Sequence, residues 1–266
     1  MTTRVIVGLV VAALIAAIAR KRAQLSTGGS LVAVVVGTLA VTAGTRWGAL
    51  LVAYFVLATA LSAWRHAEKH LRTASIVEKR GPRDAWQVVA NGSVFVVCAL
   101  IAGATQAELA SAAALGALAA SMADTAATEV GSAIASAPRS IISGQKVPAG
   151  LSGGVTWAGT LAMFGGSAVL GTFALALGFS SRAAWAALAG GIAGALADSL
   201  LGAVIQERRQ CPACGMLTER RVHGCGAVAV PTDVVGGVEG FDNDWVNLTS
   251  TALGALVAGV LSRGGV

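Results

Sequence analysis

LASAAALGALAASMADTAATEVG, residues 109–131, decides how the rest of the chain is read. It is long and apolar enough for a membrane helix, which needs about 20 such residues to cross a hydrocarbon core. Yet it carries Asp124 and Glu129. A carboxylate at membrane depth costs about 2.5 to 3.5 kcal/mol on insertion scales, so acids in such a helix point to a function. Five residues of unbroken helix turn through about 500°, which leaves the two carboxylates about 140° apart. They converge only if the helix loosens or ends nearby, and Gly131 and Pro138 are the residues to do that. A second acid has a matching setting: GALAASMADT at 116–125 and GIAGALADSL at 191–200 repeat the Ala-Asp-Thr/Ser step, placing Asp124 and Asp198 on similar helices. The pair reads as one buried acidic site; a bond from each Asp to a neighbouring helix or a water is the simpler alternative.

Composition sets the class. Of 266 residues 55% are hydrophobic and 12% charged, 34 are glycine, and the mean hydropathy is +0.74. That describes an integral membrane protein. Aromatics make up only 5%, so close approach through Gly, Ala, Ser and Thr has to hold the helices together. The expected fold is an all-α polytopic bundle of about eight helices (seven to nine), with spans at 4–19, 29–44, 47–64, 88–104, 107–130, 154–178, 183–205 and 246–262. It forms one membrane domain over 1–266, and 206–245 is a Cys/His-containing loop within it. The first span is followed, not preceded, by Arg20, Lys21 and Arg22, which is not the charge order of a cleaved signal peptide.

Alternate loops differ sharply in charge. One side carries 15 of the 19 Lys and Arg residues, leaving Arg4, Arg46, Arg182 and Arg263 on the other. The positive-inside rule makes the basic side cytoplasmic and both termini external. Every polar motif falls on that side. Ser26-Thr27-Gly28-Gly29-Ser30 opens the second span and reads as a simple helix start. Leu61 to Ile76 reads as an interfacial helix; its His66 and His70, four apart with no third ligand, belong to a solvated face rather than a metal site. Lys79, Arg80 and Arg83 then lead into the span holding Asn91, the placement of cations that phosphate groups need and also that of a membrane anchor. Lys146 precedes Ser152-Gly153-Gly154, a glycine-rich helix start that is not a Walker A loop, since no Lys-Ser/Thr pair follows the glycines. The last basic loop holds Cys211, Cys214, His223 and Cys225, a Cys3His set suited to structural zinc, with a redox dithiol as the alternative. Phe241 to Asn247, FDNDWVN, puts carboxylates, Asp244 among them, at the start of the final span, where they complement its dipole or complete a metal site.

These blocks in this order, KRGPRDAWQVVANG at 79–92, ADTAATEVG at 123–131, VPAGLSGGVTWAGT at 147–160, ADSLLGAVIQ at 197–206 and DNDWVN at 242–247, resemble the transmembrane-protein-19-like family of integral membrane proteins, which includes a plant phytyl-phosphate kinase. The resemblance implies transfer of a phosphoryl group from CTP to a prenyl monophosphate, giving the diphosphate. The Asp-x-x-Ala-x-x-x-Gly pattern at Asp124, Ala127 and Gly131 is also similar to one in dolichol kinase and CDP-lipid synthases. Ala126, Asp84 and Leu151-Ser152 depart from the family's pattern, which bears on substrate choice more than on the reaction.

Phosphoryl transfer needs Mg2+ to bridge phosphates, cations to neutralise them, and in-line placement. The expected assignment gives Mg2+ to Asp124, Glu129, Asp198 and Asp244 through oxygen ligands. Lys79, Arg80, Arg83 and Lys146 then grip the phosphates of CTP and lipid, while Asn91, Ser152, Gly153, Gly154 and Asn247 orient them. The lipid tail stays in the bilayer. No nucleic-acid partner is implied and no oligomeric state is set. Two other readings use the same residues: a CDP-lipid-forming cytidylyltransferase, and an ion-coupled transporter, which ought to place polar groups on both sides of the membrane.

Overall fold

The computed structural model describes residues 2–79 and 81–263. Eight long helices form the bundle: α1 (Thr2–Lys21), α2 (Thr27–Ala43), α3 (Thr45–Ala63), α5 (Ala85–Thr105), α6 (Glu108–Ala133), α7 (Trp157–Ala176), α8 (Ser181–Val204) and α9 (Asn243–Leu261), with the short α4 (His66–Thr73) between α3 and α5. Seven of them are long and apolar enough to cross a membrane, and α2 is an apolar helix of 17 residues. The expected spans thus all appear, each within a few residues of its bounds.

The hub is α6, whose apolar stretch is 78% buried and which packs against α3, α4, α5, α7, α8 and α9. Alanine and glycine permit this crowding. At one crossing α6, α8 and α9 meet through Gly116, Gly190 and Gly254, and a Cβ on Gly254 would stand 2.7 Å from the Ala120 Cβ and 2.9 Å from the Gly116 carbonyl oxygen. Backbones this close exchange dispersion contacts that lipid cannot supply. Gly131 has the same use: its missing side chain admits Thr156 and Gly159 of the α7 start, with Thr156 Oγ1 3.0 Å from the Cβ position. The expected loosening at Gly131 therefore does not occur. The helix runs on to Ala133 and ends where the Arg72 guanidinium donates to the carbonyls of Ser132, Ile134 and Ser136, satisfying acceptors that a helix C-terminus leaves open.

The two ends of the bundle differ. At one end the connections are Gly44, Gln106-Ala107 and residues 177–180; at the other lie 22–26, 64–84, 134–156 and 205–242, which hold all the strands. The bundle is all-α as expected, and the 206–245 loop adds short strands to it. β3 (Arg208–Gln210) pairs antiparallel with β4 (Leu217–Thr218) and β7 (Asp233–Gly236), and β5 (Val222–Cys225) pairs with β6 (Val228–Pro231). A two-residue pair, β1 (Arg139–Ser140) with β2 (Gly154–Val155), closes the α6–α7 loop. β2 also corrects the glycine-rich helix start: Ser152 and Gly153 form a turn, and α7 begins at Trp157 with the Thr156 hydroxyl accepting from the Gly159 amide. Exposed Trp64, Trp86, Trp157 and Trp245 ring the basic end, where amphipathic indoles favour the headgroup layer.

The three-helix crossing makes a direct prediction. Gly254→Ala forces a Cβ into occupied space and is expected to destabilise by about 1 to 3 kcal/mol. Gly165→Ala, with no atom within 4 Å of its Cβ position, is expected to be neutral or stabilising through helix propensity. Thermal unfolding in detergent compares the two, and equal melting temperatures would refute the packing role.

Candidate functional site

A cavity of about 480 Å3 opens at the basic end between α4, α6, α7, α8 and the start of α9. Four of the expected acids, Asp124, Glu129, Asp198 and Asp244, line it. They arrive from different elements, so convergence does not depend on breaking α6. The carboxyls of Asp124 on α6 and Asp198 on α8 face each other closely enough to interact. Asp198 Oδ2 also accepts from the Ser250 hydroxyl at 3.1 Å. Two carboxylates at that range share a proton or a cation between them. Asp198 therefore bonds to a neighbouring helix, as the simpler alternative has it, while also facing Asp124.

Glu129, on another face of α6, is differently engaged. Its Oε1 accepts from the Ser62 hydroxyl at 2.5 Å and its Oε2 from the Lys69 ammonium. Lys69 is only 6% exposed and also donates to the carbonyls of Leu61 and Ser62 at 2.8 and 3.0 Å. The expected interfacial helix over 61–76 is shortened to α4, since α3 runs to Ala63; His66 and His70 are exposed as expected, at the cavity rim, while Lys69 alone is buried. A buried ion pair was the missed feature, and its signal was Lys69 on the same short helix as Arg72, both directed at α6.

The expected phosphate-binding residues divide. Lys79 lines the cavity, bonded to Asp244 and, at 3.0 Å, to Asp84. Burial opposes its charge, but the bonds to Asp244 and Asp84 outweigh burial and hold the ammonium above its ordinary range. Arg83 lines the cavity with its guanidinium 3.4 Å from the Ser62 hydroxyl. Arg80 falls outside the described residues. Lys146 is exposed on the α6–α7 turn and does not line the cavity. Nor do Asn91 and Asn247. The Asn91 side chain donates to the Gln87 carbonyl and accepts from Ser121, and Asn247 donates to the Asn243 carbonyl, so both amides serve helix contacts. Ser152, Gly153 and Gly154 do line it, but the Ser152 amide and hydroxyl both donate to the Glu219 carboxylate. Glu219, between β4 and β5, is a cavity carboxylate that sequence reasoning passed over; nothing in its surroundings, LTERR, marked it as buried.

The four cysteine-cluster residues come together between the β3–β4 turn and β5. One ligand atom from each of Cys211, Cys214, His223 and Cys225 lies within 4.8 Å of all the others. A tetrahedron with metal–sulfur bonds of about 2.3 Å has edges of about 3.8 Å, so the set is close to a metal-sized one. Cys211 and His223 are buried, and the His223 Nδ1 has no hydrogen-bond partner. Burial opposes ionisation of Cys211, yet hydrogen bonds from the Cys214 and Ala213 amides hold its thiol below the ordinary range. The cluster can bind a metal. Its strands in turn grip the cavity wall: the Thr218 hydroxyl donates to the Ser75 carbonyl at 2.8 Å, the Glu219 amide to Ile76 at 3.0 Å, and Arg220 to Ala74 at 3.0 Å.

Burial raises the Glu219 carboxyl above its ordinary range, against the lowering effect of the Ser152 bonds. A carboxyl raised by folding stabilises the protein at low pH, and that contribution is lost as pH rises through the raised value. Glu219→Gln keeps an acceptor for Ser152 without the charge, so its melting temperature is expected to exceed the parent's by a margin that grows with pH. Glu219→Ala, which strands two donors, is expected to lose about 1 to 3 kcal/mol. Melting curves between pH 5 and pH 9 decide this; a pH-independent difference would show that Glu219 does not ionise there.

The comparisons with known proteins agree with this architecture. The chain is 28% identical to "Protein PGR" of Arabidopsis thaliana over 286 aligned positions, covering 97% of this chain and 96% of that protein. It is 29% identical to an uncharacterized membrane protein of Methanocaldococcus jannaschii, MJ0933, over 199 positions, 74% of this chain and 76% of that one. No solved structure matches the chain. The family model described as "Integral membrane protein DUF92" matches residues 10–255, and the chain, with its apolar helices around a polar cavity at one end, belongs to that integral membrane family.

Proposed function

We propose that the protein is a magnesium-dependent phosphotransferase that moves a phosphoryl group from CTP to a prenyl monophosphate at the cytoplasmic membrane face. The observation that carries this reading is the pairing of Asp124 with Asp198 inside a membrane-embedded cavity. Buried acids that meet each other and also open onto solvent-accessible space suit a hard divalent cation. Two further oxygens support the fit: Asp244 Oδ1 and Gln206 Oε1 are buried in the same cavity wall without hydrogen-bond partners.

Magnesium held by these oxygens would neutralise and bridge phosphate groups. The chain's own cations take the remaining charge. Lys79, oriented by Asp84 and Asp244, and Arg83, beside Ser62, stand on the cavity wall where phosphates would enter. Glu129, saturated by Ser62 and Lys69, acts as a positioning residue that keeps α4 against α6. A prenyl monophosphate already carries an anionic nucleophile, so no strong general base is required. The clustering of polar groups at the basic end alone is what favours an enzyme over a carrier, because connections at the other end are one to four residues long.

Zinc is the metal we infer for the cysteine cluster, from its three sulfurs and one imidazole. It would secure the strands that hold residues 74–76 and 152.

Purified protein incubated with Mg2+, labelled CTP and geranylgeranyl monophosphate is expected to yield the diphosphate and CDP. Asp124→Asn and Asp198→Asn are expected to lower turnover by about 10²-fold or more each. Release of pyrophosphate with a CDP-lipid would replace the kinase with a cytidylyltransferase, and absence of turnover on any lipid phosphate would overturn both. Separately, elemental analysis is expected to find one zinc per chain in the parent and none in a Cys211→Ser/Cys214→Ser variant, whose melting temperature falls. A parent free of zinc, with its thiols oxidised, would refute the zinc assignment.

A further inference from the structure

A second void, of about 150 Å3, lies between α1, α2, α3 and α5 and is lined almost wholly by apolar side chains. Its floor is α2, against which α1 and α5 pack closely and α3 more loosely. It runs from Leu25, just before α2, to Val41, near that helix's far end. The fourteen helical steps from Thr27 to Val41 rise about 21 Å, some two-thirds of a hydrocarbon core of about 30 Å. Gly37, Gly48 and Gly92 let the helices around the void approach closely, and the small side chain of Ala33 lines its wall. An apolar void of this size stays dry and takes up apolar guests.

Two features say which guest. The groove is open to the bilayer on one side, since Val11 of α1 and Val52 of α3 line it while being 41% and 37% exposed. Its polar end is shared with the acidic cavity, because Arg83 and Gln87 line both. On α6, Thr125 faces the groove and its neighbour Asp124 faces the cavity. A hydrocarbon chain lying in the groove therefore delivers whatever head it carries to a guanidinium at the edge of the acid pair. An anionic head complements Arg83; an uncharged or cationic one does not.

From this juxtaposition of an apolar groove and the acidic cavity across Arg83, we infer that the groove is the tail seat for a single-chain lipid phosphate, entering sideways from the bilayer. The seat fits one extended chain about as long as the groove, and the remainder of a longer tail passes into lipid. Tail length is then read only up to the groove's depth: a chain shorter than the groove leaves part of its wall without dispersion contacts, and methylenes beyond it add nothing. The inference rests on the proposed phosphotransferase only for what happens to the phosphate afterwards.

The test uses binding rather than turnover. The full-length protein in nanodiscs is exposed to a hexadecyl monophosphate carrying a mid-chain diazirine, irradiated without nucleotide, and digested for mass spectrometry. Adducts are expected on α2, α3 and α5 around Val36, Leu51 and Val88, competed by unlabelled alkyl monophosphates with a potency that climbs from hexyl to hexadecyl and is flat to docosyl. Ala33→Phe, which fills the groove from α2, and Val52→Phe, which closes its lateral mouth, are each expected to reduce labelling at least tenfold while the protein still elutes as a folded species. Arg83→Gln is expected to abolish the preference for the monophosphate over hexadecanol. Adducts spread over the outer faces of α7 and α8, or equal labelling by alcohol and phosphate in the parent, would overturn the inference. Retained groove labelling in a protein that turns over no lipid phosphate would refute the kinase and leave the tail seat standing.

Discussion

A carboxylate cannot be left in hydrocarbon, and the whole arrangement answers that constraint. Asp124 and Asp198 sit on helices rich in Ala, Gly and Leu. Isolation of either acid would cost several kcal/mol. Opening jointly onto a cavity relieves that penalty, and the two carboxyls that face each other there can share one proton or one cation. The cavity must then be walled by groups that tolerate water, and these come from the long connections at one end: α4, the 134–156 loop and the β-rich 205–242 segment. Placing so much polar chain at one end confines the other to connections of a few residues.

Close packing makes the meeting possible. An α6 of ordinary core residues would hold α8 and α9 too far away for Asp198 and Ser250 to reach its acid. The glycine crossing at Gly116, Gly190 and Gly254 brings the backbones together one to two turns from the site, so stability and site geometry share the same atoms. The cysteine cluster works from outside. Thr218, Glu219 and Arg220, between its cysteine pair and His223, bond to the backbone of residues 74–76 and the Ser152 turn beside the cavity.

What the sequence disclosed, and what it hid, divides along the range of the interactions. Helix spans follow from apolar runs about 20 residues long, and all eight could be read from the chain. The acid pair was legible because the Ala-Asp-Thr/Ser step repeats, and the cysteine cluster because its spacing is that of a metal knuckle. The pairing of Lys69 with Glu129 was not, since a basic residue beside histidines after a membrane span has the composition of a headgroup-facing segment. Likewise Ser152-Gly153-Gly154 has the residues of an anion-binding helix start, but a distant carboxylate, Glu219, takes up its donors. Asn91, bonded to Ser121 and Gln87, lines the apolar groove rather than the acidic cavity. Each miss turns on a partner about 30 to 70 residues away, which no local pattern encodes.

The short connections at the far end have a mechanical consequence. Gly44, with φ 158°, joins α2 to α3 through one residue, Gln106-Ala107 joins α5 to α6, and four residues join α7 to α8. Each pair is thus a pair of tongs pinned at one tip. Any breathing of the bundle has to be a fanning of the free tips, largest at the basic end and vanishing at the pins. The acidic cavity thus lies where the tips are free to part, and the pinned face lies opposite it.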